Sequence, residues 1–331
     1  MPALGRVTRS QAIGPCGAST APTWGWGSRM FDHVHLKTIL AVKREGSYEA
    51  AARRLNVTSA AVSRRMRTLE DRAGVVLLDR HGKATPTELG LMFCSYAEAM
   101  ELHERNILRA FSVQLANGCA SAPKLRVIVN HDSLSTWFLD VLEADARSDD
   151  PQLFEIAICD QDHALEAMQS DAVLTAISSA SDPLHGHNAR FLGTHTYRAV
   201  ATHAFVRRWL PDGPTRDAFI AAPSITYGVR HALPERWLSR VLDDPPRVPT
   251  HIVPCSQSSA LACRRGAGWA LMPSQIADPL LRSNELVEIV PGTGLDCPLY
   301  WHFSALAAEA VRPVTRLVME AAVRHLGQSE R

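Results

Sequence analysis

The 331-residue chain has almost equal numbers of basic and acidic residues, and 46% of its residues are hydrophobic. It is long enough for two or three domains, and it has no apolar run of the ~20 residues that a membrane-spanning helix requires. Its seven cysteines are an odd number without metal-ligand spacing, which argues against a disulfide framework and a zinc ribbon. We therefore expect reduced thiols; a redox pair of Cys255 and Cys263 is the alternative, and no activating motif surrounds them.

The charge is unevenly distributed along the chain. Residues 31–90 contain eleven Lys and Arg against seven Asp and Glu, whereas residues 91–331 contain 21 against 27. A basic module followed by an acidic one is typical of a nucleic-acid reader joined to a domain with another task. Residues 1–29 are rich in Gly, Pro, Ser and Thr and show no periodicity, which predicts a disordered tail, or a misassigned start if translation begins at Met30.

Two short helical patterns separated by a tight turn occupy the stretch that begins at residue 46. Ser47 is a good N-cap for the first helix, whose Ala51 and Ala52 face inward, and Thr58 is a good N-cap for the second. A capped helix, a tight turn and a second capped helix are the pattern of a helix-turn-helix.

The second predicted helix has two contrasting faces. Val62, Met66 and Leu69 recur at i, i+4 and i+7 and form one apolar stripe. The opposite face carries small, hydroxyl and cationic side chains, namely Ser59, Ala60, Ser63, Arg64 and Arg67. Such a face suits a major groove, because small residues let the backbone approach while guanidinium groups bind guanine edges or phosphates. The alternative is an ordinary solvated face, and the preceding capped helix and turn favour the interpretation as a DNA-reading helix.

Residues 80–87 have the pattern of a hairpin wing that ends in a helix cap. Arg80 and Lys83 are placed there to contact phosphates, which gives salt-sensitive affinity without sequence selection. The predicted DNA-contacting residues are therefore Thr58, Ser59, Ala60, Ser63, Arg64, Arg67, Arg80 and Lys83.

This segment resembles the DNA-binding domain of the LysR-type transcriptional regulators, and the similarity extends over nearly the whole chain. The matching motifs are Ala51-Ala52, Leu55, Thr58 with Ala61-Val62-Ser63, Leu69-Glu70, Gly74, Leu77, Arg80, and Thr85-Pro86-Thr87 with Gly90. This family often has Pro or Ser at the position of Ala60 and Gln at the position of Arg64. These departures bear on which operator sequence is read and not on whether DNA is bound.

The resemblance implies an α+α/β architecture with three parts. These are a winged helix-turn-helix at 30–90, a linker or dimerisation helix at 91–118, and a periplasmic-binding-protein-like effector domain at 124–331, with subdomain I at about 124–196 and 297–331 and subdomain II at about 197–296. Strand patterns alternate with helical patterns after residue 124, among them a helix from about Ser135 to Ala146 and a strand at 197–202, which predicts a largely parallel sheet. The linker either packs on its own domain or pairs with a second copy; the resemblance implies pairing, as a homodimer or homotetramer.

Polar residues follow the predicted strands of the effector domain. The candidate effector-binding residues are Ser133, Ser135, Thr136, Asp160, Asp162, Ser256 and Ser258. The hydroxyl residues begin helices, where backbone N–H groups bind a carboxylate, and the two aspartates suit an ammonium or guanidinium group. The alternatives are ordinary N-caps for the hydroxyl residues and a solvated turn for the aspartates.

Closer similarity, in residues 130–139, 160–163, 266–273 and 298–301, points to the ArgP/LysG branch of the family, which controls lysine and arginine export. It implies lysine or arginine as the effector, no cofactor and no metal. It also implies a cytoplasmic, nucleoid-associated protein that binds a double-stranded DNA operator, with RNA polymerase as a further candidate partner and no membrane association.

An enzyme is the main rival. The sequence has no phosphate loop, dinucleotide fingerprint, nucleophile elbow or HExxH pair, and its histidines are scattered. His163 beside Asp162 is the acid–base pair that an enzyme would use. A regulator of the same family that responds to another ligand, such as an aromatic acid or a purine, is the second alternative.

Overall fold

The computed structural model describes residues 31–79, 84–110, 124–149, 151–171 and 173–328. It contains an N-terminal helical domain, a long helix and a C-terminal domain built on a nine-stranded sheet. No helix in these ranges is both long and apolar enough to cross a membrane. The predicted tail, the wing residues Arg80 and Lys83, and the predicted linker beyond residue 110 lie outside the described residues.

The N-terminal domain follows the predicted order of helices. Its elements are α1 (His33–Glu45), α2 (Tyr48–Arg54), α3 (Ser59–Ala73), β1 (Leu78–Asp79) and β2 (Thr85–Pro86), followed by the long helix α4 (Glu88–Ala110). Both predicted caps are confirmed: Ser47 Oγ accepts from Ala50 N–H at 3.1 Å, and Thr58 Oγ1 accepts from Ala61 N–H at 3.2 Å. A left-handed Gly74, with φ 73°, ends α3, as expected where a side chain would be strained.

Close contacts join both α3 and α4 to the hairpin formed by β1 and β2. The buried Glu70 accepts backbone hydrogen bonds from Leu77 at 3.0 Å and from Leu78 at 3.3 Å. At the start of α4, a Cβ on Gly90 would lie 2.0 Å from the Leu77 carbonyl oxygen, so only glycine fits there. The C-terminal part of α3 and the start of α4 are therefore both packed closely on Leu77 and Leu78, where β1 begins.

The C-terminal domain contains the remaining elements. They are β3 (Lys124–Val129), α5 (His131–Thr136), α6 (Leu139–Ala146), β4 (Leu153–Ile158), α7 (Ala164–Ser170), β5 (Thr175–Ser178), β6 (His187–Ala201), α8 (His203–Trp209), α9 (Arg216–Ala221), β7 (Ser224–Thr226), α10 (Leu233–Val241), β8 (Thr250–Ile252), α11 (Ser256–Arg264), β9 (Trp269–Pro273), α12 (Ser274–Arg282), β10 (Val287–Glu288), β11 (Leu295–Ser304), a 3₁₀ turn (Ala305–Ala307) and α13 (Ala308–His325).

The sheet has the order β4-β3-β5-β11-β6-β9-β7-β8, with β10 also paired to β6. The pairs at both ends are parallel: β3 with β4 and β5, and β7 with β8 and β9. The long central strands β6 and β11 are antiparallel to each other and to their other neighbours in that order. Two α/β units thus share a central antiparallel pair, so the sheet is mixed, and the expected largely parallel sheet is wrong at its centre.

Two further differences from the sequence patterns concern where elements begin and end. The predicted helix from Ser135 to Ala146 is two helices, α5 and α6, and the fully buried Trp137 and Phe138 lie between them. Strand β6 begins at His187, ten residues before the predicted strand at 197, because it extends along β11.

Helix α4 connects the two domains. Cys94 and Ala97 belong to the apolar core of the N-terminal domain, whereas Ala99 and Leu102 belong to that of the C-terminal domain. The helix packs against α1 and against the 3₁₀ turn before α13. Both cores therefore meet along a single helix.

Candidate DNA interface and effector cleft

Helix α3 separates its apolar and polar sides as its period predicts. Val62, Met66 and Leu69 are fully buried against α1 and α2. The described residues predicted to contact DNA, Thr58, Ser59, Ala60, Ser63, Arg64 and Arg67, are all exposed. The exposed side is thus small and hydroxyl-bearing near the N-terminus and cationic one turn later, which matches the surface that enters a major groove.

The centre of the C-terminal domain is a buried carboxylate. Asp132, in the first turn of α5, is 1% exposed. Its Oδ1 accepts from Ser256 Oγ at 2.7 Å, and its Oδ2 accepts from the hydroxyl groups of Tyr197 and Tyr227, each at 2.8 Å. Burial and the neighbouring Asp132 raise the pKa of both tyrosines well above the usual value, so both remain donors. Asp132 thereby joins the α/β unit that contains β3 to the unit that contains β7.

A histidine extends this network. Tyr227 Oη lies 2.8 Å from His231 Nε2, Thr226 Oγ1 lies 2.7 Å from His231 Nδ1, and the Tyr227 and His231 rings stack at 4.0 Å. Burial lowers the pKa of His231 to about 4, so the ring is neutral at pH 7. Because the Tyr227 hydroxyl donates to Asp132, His231 Nε2–H donates to its oxygen and Nδ1 accepts from the Thr226 hydroxyl.

The predicted hydroxyl residues have different positions in this region. Ser256 is buried and bonded to Asp132, whereas Ser258 is exposed. Thr136 donates to the backbone carbonyl of Asp132 at 2.6 Å, and Ser135 is half-buried beside it. Ser133 is fully buried, and its hydroxyl has no hydrogen-bond partner among the described residues. Ser256 therefore belongs to the network, whereas Ser133 is the residue next to Asp132 in the chain and its hydroxyl makes no bond to the described part of the network.

The two predicted aspartates follow β4. Asp160 Oδ1 accepts from the backbone N–H of Asp162 at 2.9 Å, while Asp160 Oδ2 is buried without a hydrogen-bond partner in the described part of the chain. Burial, followed by the neighbouring charge of Asp162, raises the pKa of Asp160. Asp162 accepts from Ser179 Oγ at 2.5 Å and lies 3.8 Å from Arg236 Nη1.

Sequence reasoning missed the centre of the network. Asp132, Tyr197, Tyr227 and His231 are not among the predicted site residues. Tyr227 follows directly after β7, and a polar aromatic residue at a strand end is the signal that could have found it. The partners of Asp132 lie 65, 95 and 124 residues away in the chain, and no local pattern indicates such contacts.

The residues of the rival interpretations do not come together. His163 Nδ1 lies 3.7 Å from Glu166 Oε2 and forms no ion pair with Asp162. Cys255 and Cys263 lie at opposite ends of α11, both as free thiols, and Cys263 Sγ donates to the Val200 carbonyl. Neither an acid–base pair nor a redox pair is formed by these residues.

Comparison with known proteins decides the family. Residues 33–91 match the model of the bacterial regulatory helix-turn-helix protein, lysR family. The chain is 30% identical to the transcriptional regulator ArgP of Pseudomonas aeruginosa over 86% of its own length and 94% of the relative. It is 32% identical to the lysine export transcriptional regulatory protein LysG of Corynebacterium glutamicum, over 88% and 98%. The chain belongs to the LysR family, in its ArgP/LysG branch.

Solved structures of this branch have the same fold. ArgP from Mycobacterium tuberculosis superposes with a TM-score of 0.78 at 31% identity, covering 90% of this chain and 100% of that one. Full-length LysG from Corynebacterium glutamicum with bound effector Arg superposes with a TM-score of 0.72 at 30% identity, covering 89% and 99%. The predicted α+α/β class is confirmed. This LysR-type protein is a DNA-binding transcriptional regulator and not an enzyme.

Proposed function

We propose that this LysR-type regulator senses a basic amino acid, lysine or arginine, in the cleft between its two α/β units and controls the gene of an amino-acid exporter. The Corynebacterium LysG relative is a lysine export regulator by name, and its structure holds arginine as the effector. In this proposal the DNA-binding domain spans 30–90, the linker 91–118 and the effector domain 124–331.

The observation that carries this proposal is the concentration of carboxylates between the two units. Asp132 is buried between them, and Asp160 lies close enough that its charge contributes to raising the pKa of Tyr227. A basic amino acid brings an ammonium group and a second cation, which these carboxylates complement, and a carboxylate, which hydroxyl groups such as that of Ser133 complement. An aromatic acid or a purine would bring no such pair of cations.

DNA recognition in this proposal uses the exposed side of α3. Ser63, Arg64 and Arg67 contact bases or phosphates, and Arg80 and Lys83 of the wing contact phosphates. The protein acts in the cytoplasm on a double-stranded operator of the nucleoid, with RNA polymerase as a partner during regulation.

A homodimer, or a homotetramer made of two such dimers, provides the paired DNA-reading heads. Leu89, Met92 and Tyr96 form a stripe on α4 at i, i+3 and i+7, and they are 44%, 62% and 42% exposed. Exposed apolar side chains at this spacing suit the pairing of two such helices. Pairing also doubles the number of bases read. This is needed because one DNA-reading head alone contacts too few bases to select a site in a genome.

The proposal is tested by calorimetric titration of the full-length protein with arginine, lysine, norleucine, an aromatic acid and a purine. We expect binding of the two basic amino acids and a rise in melting temperature with their concentration, because a ligand that binds the folded state stabilises it. Mobility shifts of operator DNA with and without arginine then test regulation. Stabilisation by an aromatic acid or a purine, with no response to lysine or arginine, would assign the protein another effector.

A further inference from the structure

The two carboxylates after β4 differ in how far the protein already satisfies them. Asp160 and Asp162 are two residues apart, and the backbone N–H of Asp162 donates to Asp160 Oδ1. Both carry the charge that a cationic side chain would bind, and the sequence does not distinguish them. The contacts that each carboxylate makes in the structure do distinguish them.

Asp162 already has partners for its charge. One carboxylate oxygen accepts the Ser179 hydroxyl at 2.5 Å, and the other lies 3.8 Å from a guanidinium nitrogen of Arg236. A ligand cation at Asp162 would have to compete with Arg236 and with solvent, since the side chain is 31% exposed. Little net stabilisation remains for a further cation at that position.

Asp160 lacks such partners. Its Oδ2 is buried, and it has neither a hydrogen-bond donor nor an ion-pair partner among the described residues. The negative charges of Asp162 and Asp132 lie nearby, and together with burial they raise the pKa of Asp160. A carboxylate of this kind gains most from an arriving cation, because the cation offsets both desolvation and like-charge repulsion.

Fully buried polar side chains at the same edge of the sheet add independent support. Asn130 Oδ1, Gln161 Nε2 and Ser133 Oγ have no hydrogen-bond partner within the described ranges, although each side chain is 0% exposed. Asn130 and Gln161 bond to each other at 3.2 Å, across the ends of β3 and β4. Buried polar atoms are nearly always hydrogen-bonded, so several unpartnered ones in one place mark a surface built to receive a polar ligand.

We infer that Asp160, and not Asp162, binds the cationic end of the effector side chain and so selects basic over neutral amino acids. Asp162 instead holds the loop through Ser179 and Arg236. This inference rests on the proposed function, since it assumes that the effector is a basic amino acid.

The test compares arginine with citrulline, which has nearly the same shape but a neutral ureido group. Arginine and citrulline are titrated into full-length wild type, Asp160→Asn and Asp162→Asn by calorimetry. We expect wild type to favour arginine by about 10- to 100-fold, the range for hydrogen bonds to charged groups. Asp160→Asn should remove most of this preference, whereas Asp162→Asn should retain it.

Folding is checked separately from specificity. Asparagine has nearly the same shape as aspartate. Because Asp160 Oδ2 has no hydrogen-bond partner among the described residues, its replacement by an amide breaks no hydrogen bond there. Operator binding without effector should therefore match wild type in Asp160→Asn, and the same measurement on Asp162→Asn shows whether loss of the Arg236 ion pair disturbs the fold. Asp160→Glu, which keeps the charge, should retain a preference for arginine over citrulline and provides a second reading of the same contact.

The outcomes separate the inference from the proposed function. A wild-type protein that binds neither arginine nor lysine overturns the proposed function and the inference together. A wild-type protein that binds arginine while Asp160→Asn keeps the full preference over citrulline overturns the inference alone. Loss of the preference in Asp162→Asn but not in Asp160→Asn reverses the assignment.

Discussion

We expect two buried histidines to make the effector domain less stable in mild acid. His195 is fully buried with neither ring nitrogen hydrogen-bonded to the described residues, and His231 is bonded to Thr226 and Tyr227. Burial lowers the pKa of each imidazole to about 4, against about 6.5 in an unfolded chain. Between these values the unfolded state binds protons that the folded state does not. The free energy of unfolding therefore falls as the pH falls from about 6.5 towards 4.

The size of the effect follows from the two pKa values. Lowering the pH from 7 to 5 costs about 2 kcal/mol for each such histidine, and about 4 kcal/mol for the pair if they act independently. This is a large part of the roughly 5–15 kcal/mol by which domains are usually stable. Below pH 4 both states are protonated, and the loss reaches its limit.

Urea denaturation at pH 7, 6 and 5, followed by tryptophan fluorescence, measures this loss. Trp137, Trp237, Trp269 and Trp301 are fully buried in the effector domain and report its unfolding. His231→Gln keeps a donor and an acceptor but does not titrate, so it should lose about 2 kcal/mol less than wild type between pH 7 and 5.

A matched control is His185→Gln, at an exposed position, which should lose as much stability as wild type over the same pH range. Other acid-sensitive groups act equally in wild type and variants, and their effects cancel in the comparison. Equal losses in wild type and His231→Gln would refute the reasoning, because they would mean that His231 contributes no proton linkage to folding.

Three further predictions concern the DNA-binding half. Arg64→Ala and Arg67→Ala should each weaken operator binding by about 1–3 kcal/mol in mobility-shift titrations if the side chains reach base edges, and affinities equal to wild type would remove them from the interface. Met92→Glu places a charge in the exposed apolar stripe of α4 and should shift the protein towards the monomer in sedimentation velocity; an unchanged profile would exclude that face as the dimer contact. Gly90→Ala brings a Cβ to 2.0 Å from the Leu77 carbonyl oxygen and should destabilise the DNA-binding domain by more than about 1 kcal/mol in denaturation curves. Wild-type stability of that variant would mean that the backbone yields at this contact and does not lock the wing to α4.

The sequence predicted the helices of the DNA-binding half because their signals are local. Thr58 and Gly74 mark the two ends of α3 by their own backbone chemistry, and the spacing of Val62 and Met66 sets its buried side. Each of these signals acts within a few turns of one helix, so composition and period specify them without knowledge of the rest of the fold.

The effector cleft was only partly predictable, because its contacts join distant segments. Ser256 is predicted from its position at a helix start, and the structure places it on Asp132, 124 residues away. Asp132 stands among hydroxyl residues in a turn that the sequence predicts to bind a carboxylate, and a second carboxylate is not expected there. Its role becomes visible only from the hydroxyl groups of Tyr197 and Tyr227, which donate to it. Strand alternation predicts which units exist but not which of their side chains meet.

The contacts of Lys43 connect the cleft to the DNA-binding domain. Its ammonium group donates to the Asp171 carbonyl at the end of α7, and it lies 3.9 Å from the buried carboxylate of Glu98 on α4. Glu98 also lies 3.7 Å from Arg44, so α1 is held to the linker by two cations. Helix α7 begins directly after the loop that carries Asp160. A ligand that displaces this loop and moves α7 therefore has one of two effects. It breaks the contact between Lys43 and Asp171, or it moves α1 together with α7. In the second case the DNA-reading helix α3, which packs against α1, moves as well.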